Sequence, residues 1–161
     1  AKQQTESLRA MPSSSEAKKF KSTHFDYCTF SGLFRRRNEK ELLQHSGLMC
    51  LDFDHVGNPD TLKEQLLKHE YFDTELMFTS PSGDGVKWII PIELKGWEHA
   101  RLFKAVANCI KSTGLPPVDN SGSDVARSCF LPYDPQAYIN PKYEDYVKEN
   151  LFRPRMGECP F

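Results

Sequence analysis

The heptapeptide Leu48-Met-Cys-Leu-Asp-Phe-Asp54 restricts the possible folds of this chain more than any other segment. In an extended strand alternate side chains face opposite ways, so Met49, Leu51 and Phe53 project together and Asp52 and Asp54 project to the other side. A strand with an apolar face and a carboxylate face belongs to a sheet covered on one side and open on the other. The strand closes at His55-Val-Gly-Asn58, where Asn58 is placed to cap a helix that begins with Pro59, and Leu62 and Leu66 mark that helix's inner face.

The same reasoning orders the rest of the chain. Glu75–Ser80 and Val86–Ile92 read as two strands joined by the turn-rich Pro81-Ser82-Gly83-Asp84-Gly85, a hairpin. Glu98–Thr113 sets Leu102, Phe103, Val106 and Ile110 on one side and Arg101, Lys104, Asn108 and Lys111 on the other, an amphipathic helix stopped by Gly114. Arg127–Leu131 is a final strand. The order β-α-β-β-α-β predicts an α+β fold of the RRM-like, split βαβ type, with an antiparallel sheet, both helices on one face and the last strand beside the first. An N-terminal αβ extension is expected from a strand at Asp26–Phe30 and a short helix at Asn38–Gln44. A short helix is expected at Tyr143–Glu149, and an extended, Pro-rich end over Phe152–Phe161.

At 161 residues with 39% hydrophobic content, the chain suffices for one domain with a real core. Residues 1–22 are Ser- and Lys-rich with little apolar periodicity and read as a flexible arm, 23–150 as the core and 151–161 as a tail or linker. No apolar run is long enough to span a bilayer and no secretory signal stands at the start, so a cytoplasmic setting is expected. The five cysteines are widely spaced, without a C-x-x-C pair, and read as reduced thiols. A net charge of −1 and a pI near 6.6 exclude a uniformly basic nucleic-acid-binding surface. Binding of that kind has to be local, and Arg35-Arg36-Arg37 is the dense basic cluster, either lining a groove or forming a solvated turn.

Three segments carry chemistry. Asp52 and Asp54 on one open face repel each other and call for a cation, for which hard oxygen ligands favour Mg²⁺ or Mn²⁺; a turn cap and a surface ion pair are the alternative. Ser80, Ser82, Gly83 and Gly85 form a small-residue hairpin tip able to offer hydroxyls and backbone N–H groups to phosphate, or a plain turn. Strand alternation then places Lys87 on the carboxylate face. The third segment, Val118–Pro135, holds Asp119, Asp124 and Arg127. Asp119, with Asp124 as the alternate, is able to complete a carboxylate cluster, and Arg127 to bind a triphosphate. Asp119 is equally a residue of the turn at Asn120-Ser121-Gly122.

Taken in order, LDFDH, SPSGDGVKW and VD followed by DVAR resemble the archaeo-eukaryotic primase superfamily, with its D-x-D, small-x-His and hydrophobic-Asp motifs. The stretches TFSGLFRRR, HSGLMCLDFDH, SPSGDGVK and SDVARSCFLPYDPQAYINP look like the N-terminal domain that precedes virulence-associated-protein-E-type helicases in Bacteroidetes mobile elements. The resemblance spans roughly Phe25 to Tyr143. It implies a metal-dependent nucleotidyl transferase, a primase-polymerase domain of a mobile-element or plasmid replication protein. Asp52, Asp54 and Asp119 would ligate two Mg²⁺ or Mn²⁺ ions, and Ser80, Ser82, Gly83, Gly85, Lys87 and Arg127 would hold a nucleoside triphosphate. Arg35, Arg36 and Arg37 would meet a DNA or RNA template, and a helicase module would be a partner. Lys87 departs from the superfamily, which has histidine there; a lysine contacts phosphate as a point charge but does not act as a neutral imidazole. A nucleic-acid- or partner-binding domain without turnover is the alternative, and a nucleotide cyclase-like enzyme a third reading.

Overall fold

A computed structural model describes residues 1–12 and 14–144. In chain order it contains helices α1 (Lys2–Arg9) and α2 (Ser14–His24), strands β1 (Tyr27–Cys28) and β2 (Gly32–Phe34), a 3₁₀ turn at Glu39–Glu41, and strands β3 (Leu42–His45) and β4 (Leu48–Phe53). Helix α3 (Pro59–Leu67), strands β5 (Leu76–Thr79) and β6 (Val86–Pro91) and helix α4 (His99–Ser112) follow. A 3₁₀ turn at Asn120–Ser123 and strands β7 (Cys129–Phe130) and β8 (Tyr138–Ile139) complete the order. No helix among the described residues is long and apolar enough to cross a membrane.

The main sheet runs β4-β6-β5-β8, antiparallel at each junction. Its core face is the one that alternation predicts: Met49, Leu51 and Phe53 of β4 and Val86, Trp88 and Ile90 of β6 are fully buried against Leu62 and Leu66 of α3 and Phe103, Val106 and Ile110 of α4. Asn58 caps α3 as expected, its side-chain oxygen accepting from the Asp60 and Thr61 amides at 3.0 and 3.1 Å. Burial on this face accounts for the sheet and both helices together, because each buried side chain of this size contributes about 1.5–3 kcal/mol.

The molecule is α+β with antiparallel sheets and flanking helices, and it departs from the expected topology at the last strand. Cys129–Phe130 pairs with Tyr27–Cys28, not with β4. The free edge of β4 is taken by the 118–123 segment instead. The Asp119 amide donates to the Asp52 carbonyl at 2.8 Å. A Cβ on Gly122 would stand 2.7 Å from the Cys50 carbonyl oxygen and 2.6 Å from the Phe103 ring, so glycine alone permits that approach. The β1–β7 pair lies over the face of the main sheet opposite the helices, where Cys129 packs with Phe78 and Ile89 and, at their margin, Cys50. The face expected to lie open is thus roofed along part of its length.

Two further segments differ from expectation. Asn38–Gln44 is not a helix: Asn38 caps one 3₁₀ turn through the Lys40 amide, and the chain then enters β3, paired with β2. The polar N-terminal segment forms α1 and α2. Thr5 and Leu8 are buried, Thr5 Oγ1 accepts from the Tyr133 amide at 2.9 Å, and Gln4 Nε2 donates to the His24 carbonyl at 2.7 Å. Three apolar or aromatic anchors, Leu8, Phe20 and Phe25, are too few and too irregular to show as a period, yet Leu8 and Phe25 are buried and Phe20 packs edge-on against Phe25. The helix expected at Tyr143–Glu149 lies outside the described residues beyond 144, as does the extended end.

Candidate functional site

Asp52 of β4 and Lys87 of β6 are direct cross-strand partners, and both side chains leave the sheet on the face opposite the helices. They form an ion pair, each side chain only 14% exposed. Burial lowers the Lys87 pKa, aided by the positive charges of Lys21 and Arg127 and opposed by the Cys129 and Cys50 sulfurs. The second Asp52 oxygen, Oδ1, is shielded from water and has no hydrogen-bond partner.

The pair stands in the wall of a cavity of about 330 Å³, lined also by Lys18, Lys21, Cys50, Asp54, Pro81, Ser121, Gly122, Arg127, Ser128, Cys129 and Phe130. Asp54 lies one residue beyond β4 and is exposed. The neighbouring Cys129 thiol, together with burial, holds the Cys50 thiol well above its usual pKa. Four cationic side chains and two carboxylates line one cavity, an arrangement that accepts an anion with several charges and a hard cation beside it.

The other expected site residues fall around this centre in different ways. Asp119 is exposed and does not line the cavity; its carboxylate accepts from the Ser121 amide at 2.8 Å, and hydrogen bonds from Ser121 hold its pKa low, with Arg127 and Lys87 adding to the effect. Asp124 accepts from the Ala126 amide at 2.9 Å, shaping the turn that delivers Arg127 to the cavity. In the β5–β6 hairpin Ser80 is a buried strut: its hydroxyl accepts from the Gly85 amide at 3.1 Å and its carbonyl accepts from Arg9 at 3.3 Å. Ser82 donates to Asp84 at 2.6 Å, and Asp84 also meets His55 Nδ1 at 2.6 Å. Burial would raise the Asp84 pKa, but the bonds to Ser82 and His55 bring it below the usual carboxylate value. Gly83 has φ +89°, and Gly85 sits where a Cβ would meet the Phe53 carbonyl at 2.4 Å, so these glycines serve the tightness of the turn. Of this hairpin only Pro81 lines the cavity ahead of Lys87.

The arginine run sits on the turn after β2. Arg35, Arg36 and Arg37 are all exposed, and Arg37 donates to the hydroxyl of Ser128, a cavity residue, at 3.3 Å and stacks over Tyr27 at 5.7 Å. The residues that strand alternation and motif reading did not find are Lys18 and Lys21 of α2 and the Cys50–Cys129 pair. The spacing Lys18-x-x-Lys21, one helical face, was the available signal.

Among the described residues no group of three or more His, Cys, Asp or Glu side chains is arranged to hold a metal ion. The donor set here is smaller: Asp52, with its unpartnered Oδ1, and Asp54 on the same cavity. That pair fits Mg²⁺, which characteristically takes one or two carboxylates and fills its other positions with water and substrate phosphate oxygens.

A family profile described as BT4734-like, N-terminal domain, matches residues 19–139. The chain belongs to that family. Membership agrees with the expected relation to primase-polymerase domains associated with mobile-element helicases. The matched region of this BT4734-like domain takes in every cavity residue except Lys18, and leaves out α1. No curated protein matches the chain. Among solved structures it is similar to the polymerase domain of Mycobacterium tuberculosis ligase D in complex with DNA, at 18% identity and a TM-score of 0.36. That match covers 55% of this chain and 39% of the other.

Proposed function

We propose that this BT4734-like domain binds a nucleoside triphosphate with Mg²⁺ or Mn²⁺ in the Asp52–Lys87 cavity and transfers a nucleotidyl group to the hydroxyl end of a DNA or RNA strand. The observation that carries the reading is one cavity in which Asp52, Asp54, Lys87 and Arg127 meet on the face of the sheet that the helices leave free. Family membership supports the reaction class. When bound, the divalent ion would offset the charge of the polyphosphate and assist departure of pyrophosphate. Asp52 and Asp54 are the residues that would hold it. Lys87, on a rigid central strand, binds a phosphate oxygen as a fixed point charge, and Arg127, with its planar fork of donors, binds a second. The Cys129–Phe130 strand and the Ser121–Gly122 turn wall the cavity and limit water around the polyphosphate, which strengthens each of these contacts. Asp119 and Arg37 stand at the margin, where a template strand would pass.

A binding domain without turnover is the second reading, favoured by the Asp52–Lys87 ion pair, since Lys87 already supplies the carboxylate with a cation. Incubation of the domain with labelled nucleoside triphosphates, Mn²⁺ or Mg²⁺ and a primed template separates the two. Extension that is lost in Asp52→Asn, with triphosphate binding retained, supports transfer. Metal-dependent triphosphate binding without extension under any template supports the second reading, and no triphosphate binding at all overturns both.

A further inference from the structure

Helix α2 contributes a wall that the proposed reading does not use. Lys18 and Lys21 are three residues apart, so they share one helical face, and both line the cavity that holds Asp52, Asp54, Lys87 and Arg127. Neither has an acidic partner within ion-pair distance among the described residues. Lys21 stands near enough to Lys87 for its charge to oppose the Lys87 charge.

The placement is built and not incidental. The Phe20 ring stacks on His24 at 4.1 Å and meets the buried Phe25 edge-on at 6.3 Å, which ties the C-terminal turn of α2 to the body of the domain. The His24 carbonyl accepts from Gln4 of α1, and α1 is itself anchored by Thr5 to the Tyr133 amide and by Arg9 to the Ser80 and Pro81 carbonyls. Holding two unpaired lysines beside a third lysine and an arginine costs free energy in the empty protein. A ligand carrying several negative charges in a small volume removes that cost. A pocket of about 330 Å³ suits a compact polyphosphate, whereas a nucleic-acid strand spreads its phosphates along a longer groove.

Resting on the triphosphate reading above, the geometry points to Lys18 and Lys21 as polyphosphate-binding residues, which makes α2 the fourth wall of the nucleotide site and sets the preference for a triphosphate over a monophosphate. Lys19, adjacent in sequence, does not line the cavity and has no part in it.

The test is calorimetric titration of the whole protein, with Mg²⁺, by AMP, ADP, ATP, inorganic tripolyphosphate and a primed DNA template. Lys18→Ala/Lys21→Ala is expected to weaken ATP and tripolyphosphate by at least about tenfold, the scale of losing one charge-assisted contact. The loss should shrink from ATP through ADP to AMP. Lys18→Arg/Lys21→Arg should restore most of the affinity, and Lys19→Ala should bind as the wild type does. Equal ATP affinity in the wild type and the double alanine variant, with both folded by circular dichroism, overturns the inference and leaves the proposed function standing. So does a loss confined to primed template, which would assign the wall to the strand. A wild type that binds neither ATP nor tripolyphosphate overturns the proposed function itself, and this inference with it.

Discussion

Lys87 shows how one residue serves both structure and site. Its ammonium group is desolvated beside Asp52, and each is the other's nearest opposite charge. Removing one partner of such a pair leaves an uncompensated charge out of water, at a cost of about 3–5 kcal/mol for a fully buried pair and somewhat less at 14% exposure. Lys87→Ala is therefore expected to lower the urea midpoint clearly, while Asp52→Asn/Lys87→Ala recovers much of the loss. A double-mutant cycle by urea denaturation checks this, and additive losses would show the pair to be energetically silent. In the proposed site the same alanine variant should bind triphosphate more weakly, an effect to be measured well below the new midpoint. Asp52, Asp54 and Lys87 were legible as one face because period-two alternation is strict in a paired strand. The ion pair was not legible, since it requires knowing that Asp52 and Lys87 stand opposite each other.

At the scale of elements, the 118–123 segment does the work expected of a strand. It lies on the edge of β4, and His99 at the start of α4 pins it by donating from Nε2 to the Gly122 carbonyl at 3.1 Å, while Nδ1 meets His45 Nε2 of β3 at 3.1 Å. Burial lowers the His99 pKa, against the raising effect of Gly122, Asp124 and Glu39, and burial and His99 lower that of His45. A histidine with a depressed folded-state pKa stays neutral while the unfolded chain takes up its proton. Its stability contribution is thus full above the unfolded pKa, about 6.5, and falls as the pH drops from there through the folded value. Urea midpoints should decline between about pH 7 and pH 5, and His99→Gln, whose amide can still donate to Gly122, should flatten that decline. An unchanged slope would mean that other groups carry it. The turn residues Asn120-Ser121-Gly122 read correctly as a turn. That this turn, and not Cys129–Phe130, occupies the β4 edge depends on a close approach that only glycine at 122 allows.

For the molecule as a whole, α1 joins distant parts of the chain. Arg9 reaches the hairpin between β5 and β6, donating to the Ser80 and Pro81 carbonyls at 3.3 Å each and lying against Gly83, while Thr5 reaches Tyr133 beyond β7. The hairpin tip connects the strand that carries Lys87 to the rest of the sheet. Arg9→Ala should raise hydrogen exchange at the Ser80 and Gly85 amides and lower the melting temperature by a few degrees, equivalent to about 1–2 kcal/mol. Exchange that is unchanged at those amides would show the tip to be rigid without its brace. Helix α1, which carries this brace, lies before the region that the family profile matches.

The sequence by itself determined the parts that depend on local periodicity and on chemistry at fixed spacing. These are the two core helices, the β4 and β5–β6 strands, the Asn58 cap, and the common face of Asp52, Asp54 and Lys87. Each follows from a repeat of 2 or 3.6 residues or from a side chain capping its neighbours, and needs no distant partner. Tertiary structure alone decided where weak or short segments go. Two-residue strands such as β1 and β7 carry no period, so their pairing across the sheet face, and the meeting of Cys50 with Cys129, arise from packing. The polar helices α1 and α2 have too few apolar residues to announce themselves, and they are held by a handful of long-range hydrogen bonds and buried anchors. That docking is what turns a Lys-rich arm into a wall of the cavity.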